Sequence, residues 1–421
     1  MYTIKHLARS ASQFIHTYYL RNSYALLGSA AAVLLIGLFY LVNNLRIDVP
    51  APHHSAVTIT RGTLPPLATP TSSKVLAAQP AKLPPIALSA HANQYGFSAG
   101  DLPGLPASEL EARLSDMNAL GVTWMRFDMP WNDIQPDGPT IYNWSGYDRV
   151  VAAANKHKLN MLVILDYTPA WARQKGCADT NKCPPTDNTQ FAQFAAAAAS
   201  RFGPKGLNSW EIWNEPNHMG AWAPAPDPTA YTNLLIPTYT AIKKADPSAF
   251  VITGGTGVTY TENGNYSPSD FLAAIYKNGG KNSFDGVGQH PYSFPALATL
   301  NEAWTGWYQM LAVRSLMVAN DDSAKPVWLT EYGAPTNGPG AVATQQNYNF
   351  EQNPDHVDEA LQQKITSVAI GLYKTYDWVG PMMWYGYKDL GTQADSNEDF
   401  FGLVRADGSH KPAYDTFKAS L

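Results

Sequence analysis

Cysteine is scarce in this 421-residue sequence, which has two, Cys177 and Cys183, in the segment C-A-D-T-N-K-C. Two thiols without a nearby histidine supply too few ligands for a structural zinc site, which needs four. No metal-ligand spacing occurs elsewhere in the sequence. In an oxidising compartment the two cysteines would form a local disulfide that tightens one loop. We therefore expect a disulfide here and no metal.

Basic charge is scarce as well, with 29 Lys and Arg against 34 Asp and Glu and a formal net charge of -5. No basic block lies outside the N-terminus, and phosphate binding needs clustered Lys and Arg, so nucleic acid is excluded as the main partner. No Gly-rich phosphate loop follows the first predicted strand, which disfavours an open doubly wound sheet. Trp and Tyr, in contrast, are abundant and suit a binding groove as well as a core.

The N-terminus predicts where the protein resides. Residues 24–42 (YALLGSAAAVLLIGLFYLV) carry no charge and are long enough to cross a bilayer as a helix. Basic residues precede this run, so residues 1–23 are expected in the cytoplasm and the remainder outside it. We expect a single-pass anchor in a bacterial inner membrane, with the main domain in the periplasm or outside the cell. A cleaved signal peptide is the alternative, but its apolar core would be shorter.

The segment at residues 43–93 is predicted to be a linker. It is rich in proline, mixed with Ala, Thr and Ser, and has almost no periodic apolar pattern. Such a composition stays extended and unpacked. The linker would hold the main domain, residues 94–421, away from the membrane.

From residue 94 onward, short strand-like runs alternate with helical ones. Each run is apolar at its start and polar or aromatic at its C-terminal end. The eight runs are Tyr95–Gly100, Trp124–Trp131, Asn160–Thr168, Ser209–Glu215, Phe250–Gly255, Gly286–Tyr292, Pro326–Tyr332 and Gly380–Tyr387. Strands that alternate with helices form a parallel sheet, and eight such units predict a (β/α)8 TIM barrel.

Helices are predicted between these strands. Ser108 and Glu111 have the spacing of a capping box, and Gly121 lies where that helix should end. Two more helices are predicted at residues 191–202 and 355–376.

Two glutamates mark the ends of predicted barrel strands. Glu215 ends the fourth strand in W-E-I-W-N-E-P-N, and Glu331 lies near the end of the seventh in W-L-T-E-Y-G. Chemistry in such barrels occurs at these strand ends, so both carboxyls should face one cleft. A lone glutamate there is usually solvated or salt-bridged, but two in matched positions are typical of glycosidic bond cleavage.

The surroundings predict different roles for the two glutamates. Apolar walls raise a carboxyl pKa, and hydrogen-bond donors lower it. The two tryptophans of its own motif lie near Glu215, whereas Arg126 and Tyr292 are plausible donors to Glu331. We therefore expect Glu215 to be the acid/base and Glu331 to be the nucleophile.

A third glutamate, Glu211, lies four residues before Glu215 and would share its side of a regular strand. We interpret it as buried in the barrel, paired with a cation such as Arg126, and structural rather than catalytic.

These motifs carry a family resemblance. W-E-I-W-N-E-P-N resembles the acid/base motif of clan A retaining glycoside hydrolases, and W-L-T-E-Y-G resembles their nucleophile motif. Within the clan, G-V-T-W-M-R-F-D, Q-H-P-Y and F-G-L-V-R-A-D-G-S-H-K-P-A-Y are most similar to family 39. That family includes β-xylosidases, α-iduronidases and endo-acting hydrolases tied to bacterial exopolysaccharide synthesis. Family 5 shares much of the pattern and is the second choice. The likeness spans about residues 94–421.

The resemblance implies roles for further residues. Asn214 resembles the asparagine that hydrogen-bonds the sugar 2-hydroxyl, and Arg126 the arginine that supports the nucleophile. His290 and Tyr292 resemble residues that orient the two carboxyls, although a buried histidine can also serve the core alone. Trp384 looks like the aromatic floor of the subsite for the cleaved sugar. Four more aromatic residues are candidates for stacking on sugar rings or for ordinary packing: Tyr167, Trp131, Trp171 and Trp222.

Together these features predict a membrane-tethered, monomeric, retaining β-glycosidase that needs no cofactor. Retention is implied by the resemblance and corresponds to carboxyl groups about 5–5.5 Å apart. The anchor and linker suit an endo-acting enzyme on an envelope exopolysaccharide. The alternatives are an exo-acting β-xylosidase- or β-glucosidase-like enzyme on plant-type oligosaccharides, and a carbohydrate-binding barrel that has lost catalysis.

Overall fold

The computed structural model describes residues 94–177, 180–346 and 353–421, all within one compact unit. The segments predicted as cytoplasmic, transmembrane and linker, residues 1–23, 24–42 and 43–93, lie outside the described residues. Across the described ranges, every helix is too short or too polar to traverse a bilayer.

The described chain contains a barrel of eight parallel strands. They are β1 Tyr95–Ser98, β2 Trp124–Pro130, β3 Asn160–Asp166, β4 Ser209–Ile212, β5 Phe250–Thr253, β6 Val287–Gln289, β7 Val327–Tyr332 and β8 Val379–Tyr385. They pair in the order β5-β4-β3-β2-β1-β8-β7-β6, and isolated parallel bridges from Ile252 to Gly286 and from Thr256 to Gln289 link the two outer strands. All eight predicted strands are present, mostly one to four residues shorter than predicted, so the (β/α)8 barrel is confirmed.

A helix of at least nine residues follows each strand and packs outside the barrel. They are α1 Ala107–Leu120, α2 Ser145–Lys156, α3 Asn188–Phe202, α4 Pro228–Ala245, α5 Pro268–Lys277, α6 Gly306–Ala319, α7 Glu359–Tyr373 and α8 Pro412–Ser420. A separate two-stranded pair, Val342–Ala343 with His356–Val357, lies between β7 and α7.

The helix ends show what the local patterns could predict. Gly121 ends α1 in the left-handed conformation (φ 99°), as expected. The capping box was wrong, because α1 already begins at Ala107 and Ser108 lies inside it. Helix α7 begins after Asp358, whose carboxylate accepts a hydrogen bond from the amide of Leu361.

The barrel interior is filled by a small apolar cluster, separate from the main core between strands and helices. It consists of Trp124, Leu162, Ile252, Trp328 and Met383, one from each of five strands. The rings of Trp124 and Trp328 meet edge to face, with centroids 5.1 Å apart. Because this layer closes the barrel interior, polar side chains nearer the C-terminal strand ends can line a cleft that opens on that side.

Candidate active site

The chain leaves strand β4 through an irregular turn. The strand ends at Ile212, three residues earlier than predicted, and both Trp213 (φ 71°) and Glu215 (φ 46°) are left-handed. Such a backbone is strained for residues other than glycine and is found most often at functional sites. The Glu215 amide donates to the carbonyl of Gly255 (3.0 Å), which fixes the turn against the next barrel strand.

Glu331, at the end of β7, receives two strong hydrogen bonds. Arg126 on β2 donates through Nη1 to Oε1 (2.5 Å), and the Tyr292 hydroxyl donates to Oε2 (2.9 Å). Burial raises the pKa of Tyr292 well above its ordinary value, so this hydroxyl keeps its proton and stays a donor. Both contacts fix the position of the Glu331 carboxyl in the cleft.

One imidazole nitrogen connects the two glutamates. Nδ1 of His290 lies 3.0 Å from Oε1 of Glu215 and 3.5 Å from Oε2 of Glu331. These two oxygens are therefore at most about 6.5 Å apart. The carboxyl separation typical of inverting glycosidases begins at about this distance. His290 is fully buried, so the protein fixes its position.

Arg126 is itself held by a second carboxylate. Its Nε and Nη2 bind the two oxygens of Glu211 (2.7 and 3.0 Å), and Nη2 also donates to Oδ1 of Asn214 (2.8 Å). The Gly255 amide donates to Glu211 as well (2.7 Å), and the Glu211 side chain is fully buried. Buried charges require this kind of pairing. The partner of Glu211 is Arg126, so Glu211 holds the arginine that contacts Glu331.

The pKa of Glu215 differs from the sequence expectation. Burial raises it, but the hydrogen bond from His290 and the positive charges of His290, His218 and Arg126 outweigh burial and lower it. The expected apolar walls are not formed by the motif tryptophans, because Trp210 and Trp213 are fully buried in the main core.

His290 shifts in the opposite direction. Burial lowers its pKa, but the negative charge of Glu331 and the hydrogen bond to Glu215 outweigh burial and raise it. Both shifts favour a protonated imidazole beside an ionised Glu215 carboxyl in the free protein.

Two cavities meet at this pair of glutamates. The larger cavity, of about 600 Å³, extends over β1 to β3, and the smaller, of about 380 Å³, lies beside the loops that follow β4 to β6 and β8. Asn214, Glu331 and Tyr385 line both, whereas Glu215 lines the smaller cavity. The glutamates thus lie where the two cavities join into one cleft.

The sequence model of the cellulase family, glycosyl hydrolase family 5, matches residues 89–369. The chain belongs to this family. It is therefore a glycoside hydrolase of clan A, as the motifs predicted. The greater similarity of several motifs to family 39 is not confirmed. Comparison with curated proteins gives no match.

Solved structures share the fold of this family 5 domain. A family 39 glycoside hydrolase from Bacteroides cellulosilyticus WH2 has a TM-score of 0.60 and 22% identity over 78% of this chain and 63% of that chain. GH5_18 from Streptomyces cattleya in complex with GlcNAc has a TM-score of 0.59 and 17% identity over 79% of this chain and 80% of that chain. An exo-β-1,4-mannosidase from Opitutaceae bacterium strain TAV5 has a TM-score of 0.54 and 14% identity over 77% of this chain and 58% of that chain. This chain thus spans less than two thirds of the family 39 and mannosidase structures, and these identities show the fold alone.

Several aromatic residues of the barrel lie away from the cleft. Trp131, Trp222 and Trp384 were candidates for sugar contact, but each is at most 1% exposed and packs in the main core. Trp384 is fully buried and donates to the carbonyl of Phe401 (2.9 Å), so its ring does not form a floor of the two cavities in this structure. Trp171 is half-buried and packs edge to face on Trp131. These residues pack the layer between strands and helices.

Tyr167 is the predicted stacking residue that does line the larger cavity. Lys182 covers one face of its ring, with Nζ 3.0 Å from the centroid. Lys182 belongs to the loop closed by the disulfide between Cys177 and Cys183. This loop therefore shapes the cavity wall, and its Asn181 lines the cavity directly.

Other residues that line the cleft were missed. Tyr385 contributes to both cavities, Asp128 and Asp133 line the larger one, and His218 and Glu398 line the smaller one. Asp128 and Tyr385 lie near the ends of predicted strands, so the strand-end rule could have found them. Glu398 lies in a short helix after β8, where no sequence pattern indicates the cleft.

Proposed function

We propose that this glycoside hydrolase is a retaining, endo-acting β-glycosidase with Glu331 as nucleophile and Glu215 as acid/base. The observation that carries the proposal is the position of His290, whose Nδ1 lies within 3.5 Å of both carboxyls. These distances limit the two nearest oxygens to a separation of about 6.5 Å, which accommodates the about 5–5.5 Å of an enzyme whose nucleophile attacks the sugar directly. An inverting enzyme needs room for a water molecule between its carboxyl groups.

Different surroundings support different roles. Glu331 accepts hydrogen bonds from Arg126 and Tyr292, which hold its carboxyl in place to attack the anomeric carbon. Glu215 shares a proton with His290, and that proton can reach the glycosidic oxygen.

The reaction follows in two steps. In the first, the shared proton passes through Glu215 to the leaving oxygen, Glu331 forms an ester with the anomeric carbon, and the glycosidic C–O bond breaks. Esterification removes the negative charge of Glu331, the larger of the two main effects that raise the pKa of His290 against burial. In the second step Glu215, now ionised, accepts a proton from water, the water oxygen attacks the anomeric carbon, and Glu331 leaves as a carboxylate. The proton returns to the pair formed by His290 and Glu215.

The cleft supports cleavage inside a chain. Because Glu215 protonates the leaving sugar, the smaller cavity that it lines is assigned to the leaving side. The larger cavity then holds the part of the substrate that becomes bound to Glu331. Its volume of about 600 Å³ leaves room for more sugar units beyond the one that is attacked. An exo-acting enzyme would instead need a wall at that end.

The proposed substrate is an envelope exopolysaccharide. The uncharged run at residues 24–42 and the proline-rich segment 43–93 suit an enzyme tethered to the bacterial inner membrane. The disulfide between Cys177 and Cys183 suits an oxidising compartment such as the periplasm. The likeness of several motifs to family 39, which includes exopolysaccharide endohydrolases, belongs to the same proposal.

Product analysis tests this function. The purified full-length protein is incubated with bacterial exopolysaccharides and plant β-glucans, and early products are followed by proton NMR and by size. We expect β-configured reducing ends and a mixture of oligosaccharides. α-Configured products would overturn retention, and release of single sugars alone would favour the exo-acting alternative. Binding of a polysaccharide without cleavage would favour the binding barrel.

Gly257 offers a test of the acid/base position. A methyl group there would lie 2.6 Å from Oε1 of Glu215, so Gly257→Ala must displace that carboxyl. We expect kcat/KM on an unactivated glycoside to fall about a hundredfold, because small misplacements of a catalytic group are costly. An aryl glycoside with a good leaving group forms the glycosyl ester without protonation, so its kcat/KM, which reports that first step, should change little.

The matched control is Gly371→Ala in α7, where a methyl group meets open space. Its activity on both substrates should equal that of the unmodified protein. An equal loss on both substrates in Gly257→Ala would contradict the assignment of Glu215 as the acid.

A further inference from the structure

Carboxylates dominate the charge of the cleft. Among the described residues that line the two cavities, six are acidic, and the one Lys or Arg is Arg126. The acidic ones are Asp101, Asp128, Asp133, Glu215, Glu331 and Glu398. The charge of Arg126 is already matched by Glu211 and Glu331. The cleft therefore presents excess negative charge to a substrate.

This excess is least compensated in the larger cavity. Asp101 is paired with Arg113 (2.7 Å). Asp133 accepts from the amide nitrogen of its neighbour Asn132 (2.6 Å), a neutral group. Within the described ranges, Asp128 has no hydrogen bond and no cation within 4.0 Å. Two acidic side chains of this cavity thus have no cationic partner in the described part of the protein.

A fully buried carboxyl lies next to them. Both oxygens of Asp166, at the end of β3, lack a hydrogen-bond partner among the described residues. Its cross-strand neighbour Pro130 and its chain neighbour Tyr167 both line the larger cavity. Buried polar groups are nearly always satisfied, so an unpartnered carboxyl beside a cavity points to a missing donor.

The electrostatics agree with this geometry. Burial raises the pKa of both Asp128 and Asp166, and the charge of Asp128 raises that of Asp166 further. Arg126 and Lys182 act in the opposite direction on both, but Arg126 is bound to Glu211 and Glu331, and the ammonium group of Lys182 lies over the ring of Tyr167. A further cation in the cavity would favour the ionised form of both carboxyls.

We propose that the larger cavity binds a sugar that carries a protonated amino group, so the substrate is a polymer with free, non-acetylated amino sugars. This assignment rests on the proposed function, which puts the non-leaving part of the substrate in that cavity. An ammonium group has three donors for Asp128 and its neighbours and forms charge-assisted hydrogen bonds with carboxylates. A uronate or a sulfated sugar would be repelled.

The test compares three matched ligands. Calorimetry on the full-length Glu331→Gln protein in detergent, at slightly acidic pH, measures the affinity of β-1,4-linked tetramers of glucosamine, N-acetylglucosamine and glucose. We expect the glucosamine tetramer to bind about tenfold more tightly than the other two, and salt to reduce this preference. Equal or weaker binding of the glucosamine tetramer, or binding of none of the three, overturns the proposal.

Matched variants locate the preference. In the same background, Asp128→Asn and Asp133→Asn should each reduce the preference about threefold or more. Asp137→Asn removes the same charge at an exposed residue outside both cavities, and it should leave the preference for the glucosamine tetramer unchanged. Asp133 is exposed, so Asp133→Asn tests the proposed amino-sugar site even where Asp128→Asn does not fold. If folded Asp128→Asn and Asp133→Asn proteins both kept the full preference for the glucosamine tetramer, the proposal would be overturned. Affinity is measured without turnover, so this result is separate from the NMR test of the mechanism.

Discussion

Glu331→Gln is expected to lower kcat by about 10⁴-fold or more on any glycoside that the unmodified protein cleaves. The amide is the same size as the carboxyl but cannot form the ester with the anomeric carbon. Arg126 keeps its second carboxylate, Glu211, so the buried guanidinium is not left unpaired. We therefore expect thermal unfolding and sugar affinity to change little while turnover is lost.

The control for this variant is Glu302→Gln, which makes the same chemical change at an exposed position. It should have normal steady-state kinetics. If Glu331→Gln kept a tenth or more of kcat, Glu331 would not be the nucleophile. If it unfolded, the residue would be needed mainly for the fold.

Glu215→Ala should lose about 10²–10⁴-fold in kcat/KM on a glycoside with a poor leaving group, because that oxygen must be protonated as it departs. On a dinitrophenyl glycoside the first step needs no acid, so the glycosyl ester on Glu331 should form and accumulate. Azide fits the space left by the carboxylate and can attack this ester. It should restore turnover and yield a glycosyl azide with retained configuration.

The configuration of that azide decides between the roles. An inverted glycosyl azide would mean that Glu331 is the acid and Glu215 the group that attacks or activates water. Absence of rescue, with a folded protein, would remove Glu215 from the chemistry. His290 is the informative neighbour, because its Nδ1 loses a hydrogen-bond partner in this variant.

Strand positions could be predicted because each βα unit has its own local signal. Short apolar runs alternate with helical patterns, and polar residues follow where the runs end. Glu215 and Glu331 could be singled out in this way, since each lies at such an end within an aromatic and polar motif. The same rule applies to His290 and Tyr292, whereas Arg126 lies near the start of β2 and was singled out by the family resemblance.

The direction of individual side chains could not be predicted. Trp384 and Tyr385 are adjacent aromatics on β8, yet the first is in the core and the second lines the cleft. Strands of a parallel barrel are buried on both sides, so their apolar pattern does not reveal which residue faces which side. The left-handed turn at Trp213 breaks the alternation that would otherwise place Glu215.

The pKa of Glu215 could not be predicted either. Nearby tryptophans in the sequence suggested apolar surroundings, but the partner that sets its charge is His290, 75 residues further along the chain. Charge interactions depend on distances in space, which sequence neighbours do not supply.

The ion pair between Arg126 and Glu211 has a consequence for attempts to make this enzyme more heat-resistant. Replacing a buried ion pair with apolar residues of similar volume often raises stability. Here, however, such a replacement would take away the guanidinium that contacts both Glu331 and Asn214. Engineering for a higher Tm should therefore leave the mouth of the barrel unchanged and work on the outer helices. There, changes at exposed positions such as Gly371 alter stability without touching the cleft.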